Sequence, residues 1–525
     1  MSDAYVTEKR NNVIDYMKGI VIILMVLRHA GTPGTEIVEI FHMALFFMVS
    51  GWGFSDRYTT DIRMAGKFIL RKVQTLYLPF VAFNLWNAWA HNILLKLNIY
   101  TGNPAFLDNN PCGGNQYGLY PFKDLDEVLR ITKEVLLFRG EYQLGGAAWF
   151  IRVLFWVSIL WCLTNVLVRK FIKSGQAVFA FHLCISCVLL MFSYYCSLNH
   201  ITYREGFHTV SAAYSMIFLG YYLRRTVPAI TKARHALIVF AVSFLVLECL
   251  YRFCTRMGWH SKIDDYSEPL LLIMTSAAGF FVIYAAAVWI DLRFPGNWLL
   301  VVGRNTMSIV LLHFLAFKPV NMLYVAVHNL PRYLTAAFPV LDPKWWFLYG
   351  AVGVGVPVWL SLLYRKGKVI VKQNRVCRIP AAASGVLICS LLAGFNIVNQ
   401  DNIKMRYYGD YGYEWRSGYY GDGWLTDQSE MIVYNKLDET KYVTLEYFVI
   451  PELDGIEVTV YDEQEEVVYT GGLGAGNGTI MLPVTGGGYE YRFVFDHSIC
   501  PAQEGMNEDT RNLTILIVSV CVGDH

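Results

Sequence analysis

The chain has 525 residues, of which 55% are hydrophobic, 15% aromatic and only 16% charged; soluble chains average about 25% charged. With a mean hydropathy of +0.35, this composition excludes disorder, a coiled coil and a collagen-like fibre, and indicates a membrane protein. The 44 Lys and Arg nearly balance 42 Asp and Glu, so no basic field supports nucleic-acid binding. The 11 cysteines are scattered, and Cys162, Cys184, Cys187, Cys196, Cys249 and Cys254 sit in apolar runs, where Cys acts as a small hydrophobe. This is not a disulfide scaffold.

A membrane helix takes roughly 20 apolar residues. The hydropathy pattern predicts eleven spans: 14–30, 37–55, 74–95, 147–167, 177–196, 207–223, 236–255, 268–290, 298–317, 345–364 and 380–397. The first does not read as a cleaved signal peptide: its apolar run Ile20–Leu27 is short and Arg28-His29 follows it. Basic residues fall in every second loop: Arg57, Arg63, Lys67, Arg71 and Lys72; then Arg169, Lys170 and Lys173; then Arg224, Arg225, Lys232 and Arg234; then Arg365, Lys366, Lys368, Lys372, Arg375 and Arg378. By the positive-inside rule this puts the N-terminus in the cytoplasm, and eleven crossings put the C-terminus outside.

After Asn399 the pattern changes. Residues 442–449, 456–461 and 489–495 alternate apolar and polar with period two between Gly- and Asp-rich turns, the signature of antiparallel strands in a sandwich. The expected organisation is a membrane domain over 1–365 with ten transmembrane helices, a basic cytoplasmic linker with an eleventh helix over 366–399, and an extracytoplasmic β-sandwich over 400–525. Cys500 and Cys521 lie in the last, an oxidising setting, and the sequence leaves their pairing open. The run Gly471–Gly478 superficially fits a phosphate loop, but no helical pattern follows it, so it reads as a hairpin turn.

The first span carries Asp15, Lys18 and His29. Ionisable groups inside a membrane are costly and need a reason. Lys18 and His29 are eleven positions apart, three helical turns or roughly 16 Å, on one face. Either Lys18 snorkels to the head groups and His29 ends the helix, or the two bracket a reaction path through the bilayer. The second span adds His42, another intramembrane imidazole, and Ser50-Gly51, which permits close helix packing.

The series Asp15-x-x-Lys18-Gly19-Ile20, ten residues between Lys18 and His29, then Phe41-His42-Met43-x-Leu45-Phe46-Phe47-x-x-Ser50-Gly51 resembles the integral-membrane acyltransferase 3 family, in particular its fucose 4-O-acetylase-like branch. Arg71-Lys72-x-x-x-Leu76-x-x-Pro79-Phe80, Trp149-Phe150-Ile151-x-x-Leu154-Phe155 and Gly303-x-Asn305-x-x-Ser308-Ile309-x-x-Leu312-His313 resemble further segments of that family, in order. The likeness covers residues 11–365. Arg28 before the histidine and Arg152 inside the Trp-Phe segment depart from the family pattern.

The resemblance implies O-acyl transfer across the membrane, from cytoplasmic acyl-CoA (most often acetyl-CoA) to a hydroxyl of an extracytoplasmic or lipid-linked carbohydrate. No permanently bound cofactor and no metal are expected, since a thioester needs only a nucleophile and a stabilised oxyanion. A sugar hydroxyl needs a general base, and His29 is the candidate, with Lys18 and Asp15 completing the catalytic set. Lys18, Arg71 and Lys72 suit the CoA phosphates. His42, Ser50, Trp149, Asn305, Ser308 and His313 are candidates for binding the acceptor or polarising the thioester. The expected partners are the bilayer, acyl-CoA and a glycan or glycolipid, and the expected location is an inner (plasma) membrane. The rival reading is a transporter or flippase of polysaccharide units, although no internal repeat of the kind such proteins carry is visible.

More loosely, Gly421-Asp422-Gly423-Trp424-Leu425 and the segment Pro501 to Leu513 resemble β-domains that end some bacterial glycosyltransferases. There, Asp509 and Arg511 form an ion pair and Trp424 fills the core, or the aromatics among Tyr411, Tyr413, Trp415, Tyr419 and Tyr420 stack on sugars.

Overall fold

The computed structural model describes residues 12–100, 125–139, 143–199, 201, 203, 206–259, 266–330, 332–373, 411–420, 423–435, 440–484, 487–506 and 509–523. Among the described residues, six helical stretches are long and apolar enough to cross a membrane: Leu144–Phe171, Gly175–Leu198, Ala233–Arg256, Pro269–Arg293, Thr306–Val327 and Pro343–Gly367. They contain helices α8 (Trp149–Phe171), α9 (Gly175–Leu198), α11 (Ala233–Arg256), α12 (Pro269–Arg293), α14 (Thr306–Val327) and α15 (Trp346–Gln373). The preceding helices are α1 (Asn12–His29), α2 (Glu36–Glu39), α3 (His42–Trp52), α4 (Ile62–Lys72), α5 (Leu78–Trp89), α6 (His91–Lys96) and α7 (Leu125–Leu136); α10 (Phe207–Thr226) and α13 (Trp298–Arg304) lie between the long ones.

Helices α12 and α14 are mostly buried, while α9, α11 and α15 are mostly exposed. The exposed surface is apolar: Val242, Leu245 and Val246 stand out on α11. Water would penalise such a surface; hydrocarbon does not.

The short helices correct several predicted spans. The span predicted over 37–55 is two elements, a single turn α2 and the 11-residue α3. That over 74–95 begins as a π-helical segment, Val73–Tyr77, and breaks at Ala90 between α5 and α6. The ninth, 298–317, breaks at Asn305, which has φ −120° and ψ 19°. Its amide donates to Val301 O at 2.7 Å and its Oδ1 accepts from Ser361 Oγ on α15 at 2.8 Å. A side chain that satisfies main-chain groups locally and anchors elsewhere lets a helix stop inside the bundle. The eleventh span, 380–397, lies outside the described residues.

Two backbone contacts hold the centre together. A Cβ on Gly303 of α13 would fall on the Asp15 carbonyl, and one on Gly19 of α1 would meet Leu299 O at 2.7 Å. Gly51 of α3 and Gly220 of α10 make the same kind of reciprocal approach, to Ile217 O and Met48 O. Small residues let helices touch main chain to main chain, so Gly51 of the Ser50-Gly51 pair has a packing role.

The C-terminal strands are β1 (Tyr411–Tyr419), β2 (Leu425–Asn435), β3 (Lys441–Val449), β4 (Ile456–Tyr461), β5 (Val467–Leu473), β6 (Gly476–Val484), β7 (Gly487–Phe495) and β8 (Leu516–Gly523). They form a five-stranded sheet, β1-β2-β7-β4-β5, and a three-stranded sheet, β6-β3-β8, with every pairing antiparallel. Alternate residues point into a shared apolar core: Val443, Leu445, Val458, Leu482 and Phe493 are buried there. The glycine-rich run is not a hairpin. Gly471 and Gly472 belong to β5 and Gly478 to β6, strands of different sheets, and Gly476 at φ 102° turns the chain between them. Cys500 and Cys521 are both free. Asp509 and Arg511 form the expected pair at 2.7 Å, and the guanidinium holds the half-buried Asp509 carboxyl down to about 2. Trp424 is only partly buried.

Candidate active site

Helix α1 ends at His29, which is half-buried against α14. His29 Nδ1 lies 2.9 Å from His313 Nε2. The two rings stack with centroids 5.1 Å apart, and Phe314 covers His29 at 4.9 Å. His313 is fully buried, and its Nδ1 is 2.9 Å from Ile309 O and 3.1 Å from Val310 O. Carbonyl oxygens only accept, so His313 Nδ1 carries the proton and, in the neutral ring, Nε2 is an acceptor. His29 therefore donates from Nδ1, which leaves its Nε2 as the lone pair. The α14 backbone thus sets the tautomer of an imidazole on α1, 284 residues away in sequence.

Nearby charges are tied off. Arg28 Nε bonds Glu39 Oε1 at 2.6 Å, joining the end of α1 to α2, which accounts for a cation beside the histidine. His42 Nδ1 donates to Val38 O at 2.9 Å, leaving its Nε2 as the open nitrogen.

At the other end of α1 lies a cavity of about 450 Å³. Four cations line it: Lys18, Arg71, Lys72 and Arg304; none of the described lining residues is acidic. Ser50, Ser55, Thr75, Ser158 and Thr306 add hydroxyls, and Phe46, Phe54, Tyr58, Phe68, Phe150 and Trp161 add aromatic wall. The helices explain the placement. Helix α4 is amphipathic and capped by Asp61, whose side chain accepts from Met64 N, and it delivers Arg71 and Lys72 in its last turn. Arg71 also donates to the Tyr58 hydroxyl at 3.0 Å. The cavity reaches Val310 of α14, one turn before His313.

Of the residues predicted from sequence, Lys18, Ser50, Arg71 and Lys72 meet in the cavity, and His29 and His313 meet each other. Asp15 is buried and accepts from Arg304 Nε at 3.3 Å, a partner the sequence did not suggest. Ser50 Oγ donates to Phe46 O at 3.0 Å. His42, Trp149, Asn305 and Ser308 are not among the lining residues. Trp149 is buried edge-on to Phe150, and Asn305 acts as the helix break described above. Arg304, Tyr58 and Trp161 were not anticipated; the one available signal was a cation at the variable position of Gly303-x-Asn305.

A family model described as an acyltransferase domain matches residues 11–363. The chain belongs to the acyltransferase 3 family. The match spans both the imidazole pair and the cationic cavity and covers well over half of the chain, so this is a multi-pass membrane acyltransferase of that family. No curated protein and no solved structure matches it.

Proposed function

We propose that this acyltransferase 3 protein moves an acyl group, most often acetyl, from cytoplasmic acyl-CoA to a hydroxyl of an extracytoplasmic or lipid-linked carbohydrate. The observation that carries the reading is the cavity lined by four cations and, among the described residues, no acid, one turn of α14 away from an imidazole pair with a fixed tautomer. CoA is an adenine nucleotide rich in phosphate, and Lys and Arg beside aromatic rings suit such a group.

In this scheme the acceptor hydroxyl gives its proton to His29 Nε2 as its oxygen attacks the thioester carbonyl. The charge that develops on His29 is met by its Nδ1–H donating to His313 Nε2. Collapse of the tetrahedral intermediate breaks the C–S bond, and the departing thiolate takes the proton from His29. General-base action of this kind contributes about 10²–10⁴-fold. Lys18, Arg71 and Lys72, with Arg304 added, hold the donor phosphates; His42 Nε2 is a candidate contact for the acceptor. Cavity and basic loops then face the cytoplasm of a plasma (inner) membrane.

The division into a membrane domain over 1–365, a linker with an eleventh helix over 366–399 and a β-sandwich over 400–525 fits this scheme. The sandwich holds the acceptor glycan: Tyr413 and Tyr419 are exposed, and Trp415 stacks on Tyr419 at 5.4 Å. The fucose 4-O-acetylase-like branch agrees with a sugar acceptor. Nothing in the comparisons favours the transporter reading.

The test compares surface glycans by mass spectrometry from cells with and without the chain. Loss of one acyl mass on one sugar is the expected result; identical glycans refute the substrate class. His29→Ala is expected to abolish transfer while the protein still inserts, and full transfer by that variant removes His29 from the mechanism.

A further inference from the structure

The basic face of the helix bundle holds a second cavity, of about 360 Å³, which acyl transfer leaves unused. Its charged lining is Arg169, Lys173 and Arg225, with no acidic residue among the described lining. Arg169 lies in the last turn of α8 and Arg225 in that of α10, where helix dipoles favour cations. Asp56 offsets part of the charge: it accepts from Arg225 Nη2 at 2.6 Å, from Arg169 Nη2 at 3.4 Å and from the Tyr221 hydroxyl at 2.6 Å. One carboxylate against three cations leaves the cluster positive.

One further observation points to the kind of ligand. The cavity also has an apolar side, Ile172 and Val178. Next to it α9 presents Phe179, Leu183 and Val188 outward. A site that is cationic at one end and opens beside lipid-facing surface at the other fits an amphipathic anion better than a soluble one.

We propose that this cavity holds the phosphate headgroup of an anionic phospholipid from the leaflet that meets the basic loops. Basic pockets between membrane helices recognise such headgroups, and each Lys or Arg near the membrane surface contributes about fivefold in affinity.

The experiment uses the full chain purified in detergent and native mass spectrometry of its first bound lipid. Phosphatidylglycerol is expected to be retained well above phosphatidylcholine. Lys173 is exposed and its ammonium donates to Arg169 O at 3.3 Å, so substituting it leaves the Asp56 cluster intact. Lys173→Gln is expected to weaken phosphatidylglycerol retention about fivefold and Lys173→Glu about 25-fold, at one to two cations' worth of attraction. Lys366→Glu, an equal change of net charge at an exposed site outside the cavity, is expected to leave retention unchanged, as is excess inorganic phosphate. Equal retention of the two lipids, or equal losses from Lys173→Glu and Lys366→Glu, overturns the proposal. Displacement of phosphatidylglycerol by inorganic phosphate, with the same Lys173 dependence, also overturns it and assigns a free-phosphate site instead.

Discussion

Replacing His313 with Leu probes the imidazole pair directly. The change fills the buried site with an apolar side chain of similar size and removes the acceptor that lies 2.9 Å from His29 Nδ1. In the proposed scheme His29 is neutral at rest and charged in the transition state, so the lost bond matters most at the moment of reaction. Hydrogen bonds to charged groups contribute about 1.5–3 kcal/mol, which at 1.36 kcal/mol per decade is a roughly 10- to 150-fold fall in kcat. The proposed donor cavity, lined by Lys18, Arg71, Lys72 and Arg304, is untouched, so KM for acyl-CoA should stay constant. His313→Gln restores an acceptor oxygen and should recover activity to within about tenfold of wild type. The assay is transfer of labelled acetyl from acetyl-CoA to glycan in inverted vesicles, at matched protein levels. Wild-type kcat for His313→Leu, or a raised KM with kcat intact, would refute the tautomer argument.

Three other expectations follow from the geometry. Arg71→Gln and Lys72→Gln should each raise KM for acyl-CoA by about tenfold or more, with kcat little changed; unaltered KM in both would remove the cavity from donor binding. Gly303→Ala sets a Cβ against the Asp15 carbonyl, an overpacking that costs about 1–3 kcal/mol, whereas Gly66→Ala meets nothing within 4 Å; equal thermal unfolding of the two in detergent would contradict the close α1–α13 contact. At the basic face, burial would raise the Asp56 carboxyl, but bonds from Tyr221 and Arg225 and the charges of Arg225 and Arg169 bring it below the usual carboxylate value. A depressed folded-state value means its pairing stabilises the fold at pH above the ordinary carboxylate range and is lost as pH falls through the folded value. Thermal stability of wild type should therefore drop below about pH 4 more steeply than that of Asp56→Asn, and parallel pH curves there would show the network contributes nothing.

Much of the membrane part was legible because hydrophobic runs and basic loops are local properties. Spans such as 177–196, 236–255 and 268–290 match helices α9, α11 and α12 within a few residues, since each is one uninterrupted apolar run. The spans read less well where a helix breaks inside the bundle. Helix α3 packs main chain to main chain on α10 at Gly51, and α13 stops where Asn305 bonds Ser361; neither partner is close in sequence. The period-two pattern correctly announced strands, but it placed the glycine-rich run in a hairpin. Pairing between sheets is a non-local outcome that alternation cannot reveal.

The sequence by itself determined that this is an apolar helical protein with a strand-rich C-terminal part. It also determined that Lys18 and His29 share one face of the first helix, because a 3.6-residue period places them so. Tertiary structure alone decided that His313 is the acceptor for His29, that Arg304 answers Asp15, and that four cations share one cavity. Each of those depends on which helices cross and where, and crossings are set by contacts between segments hundreds of residues apart.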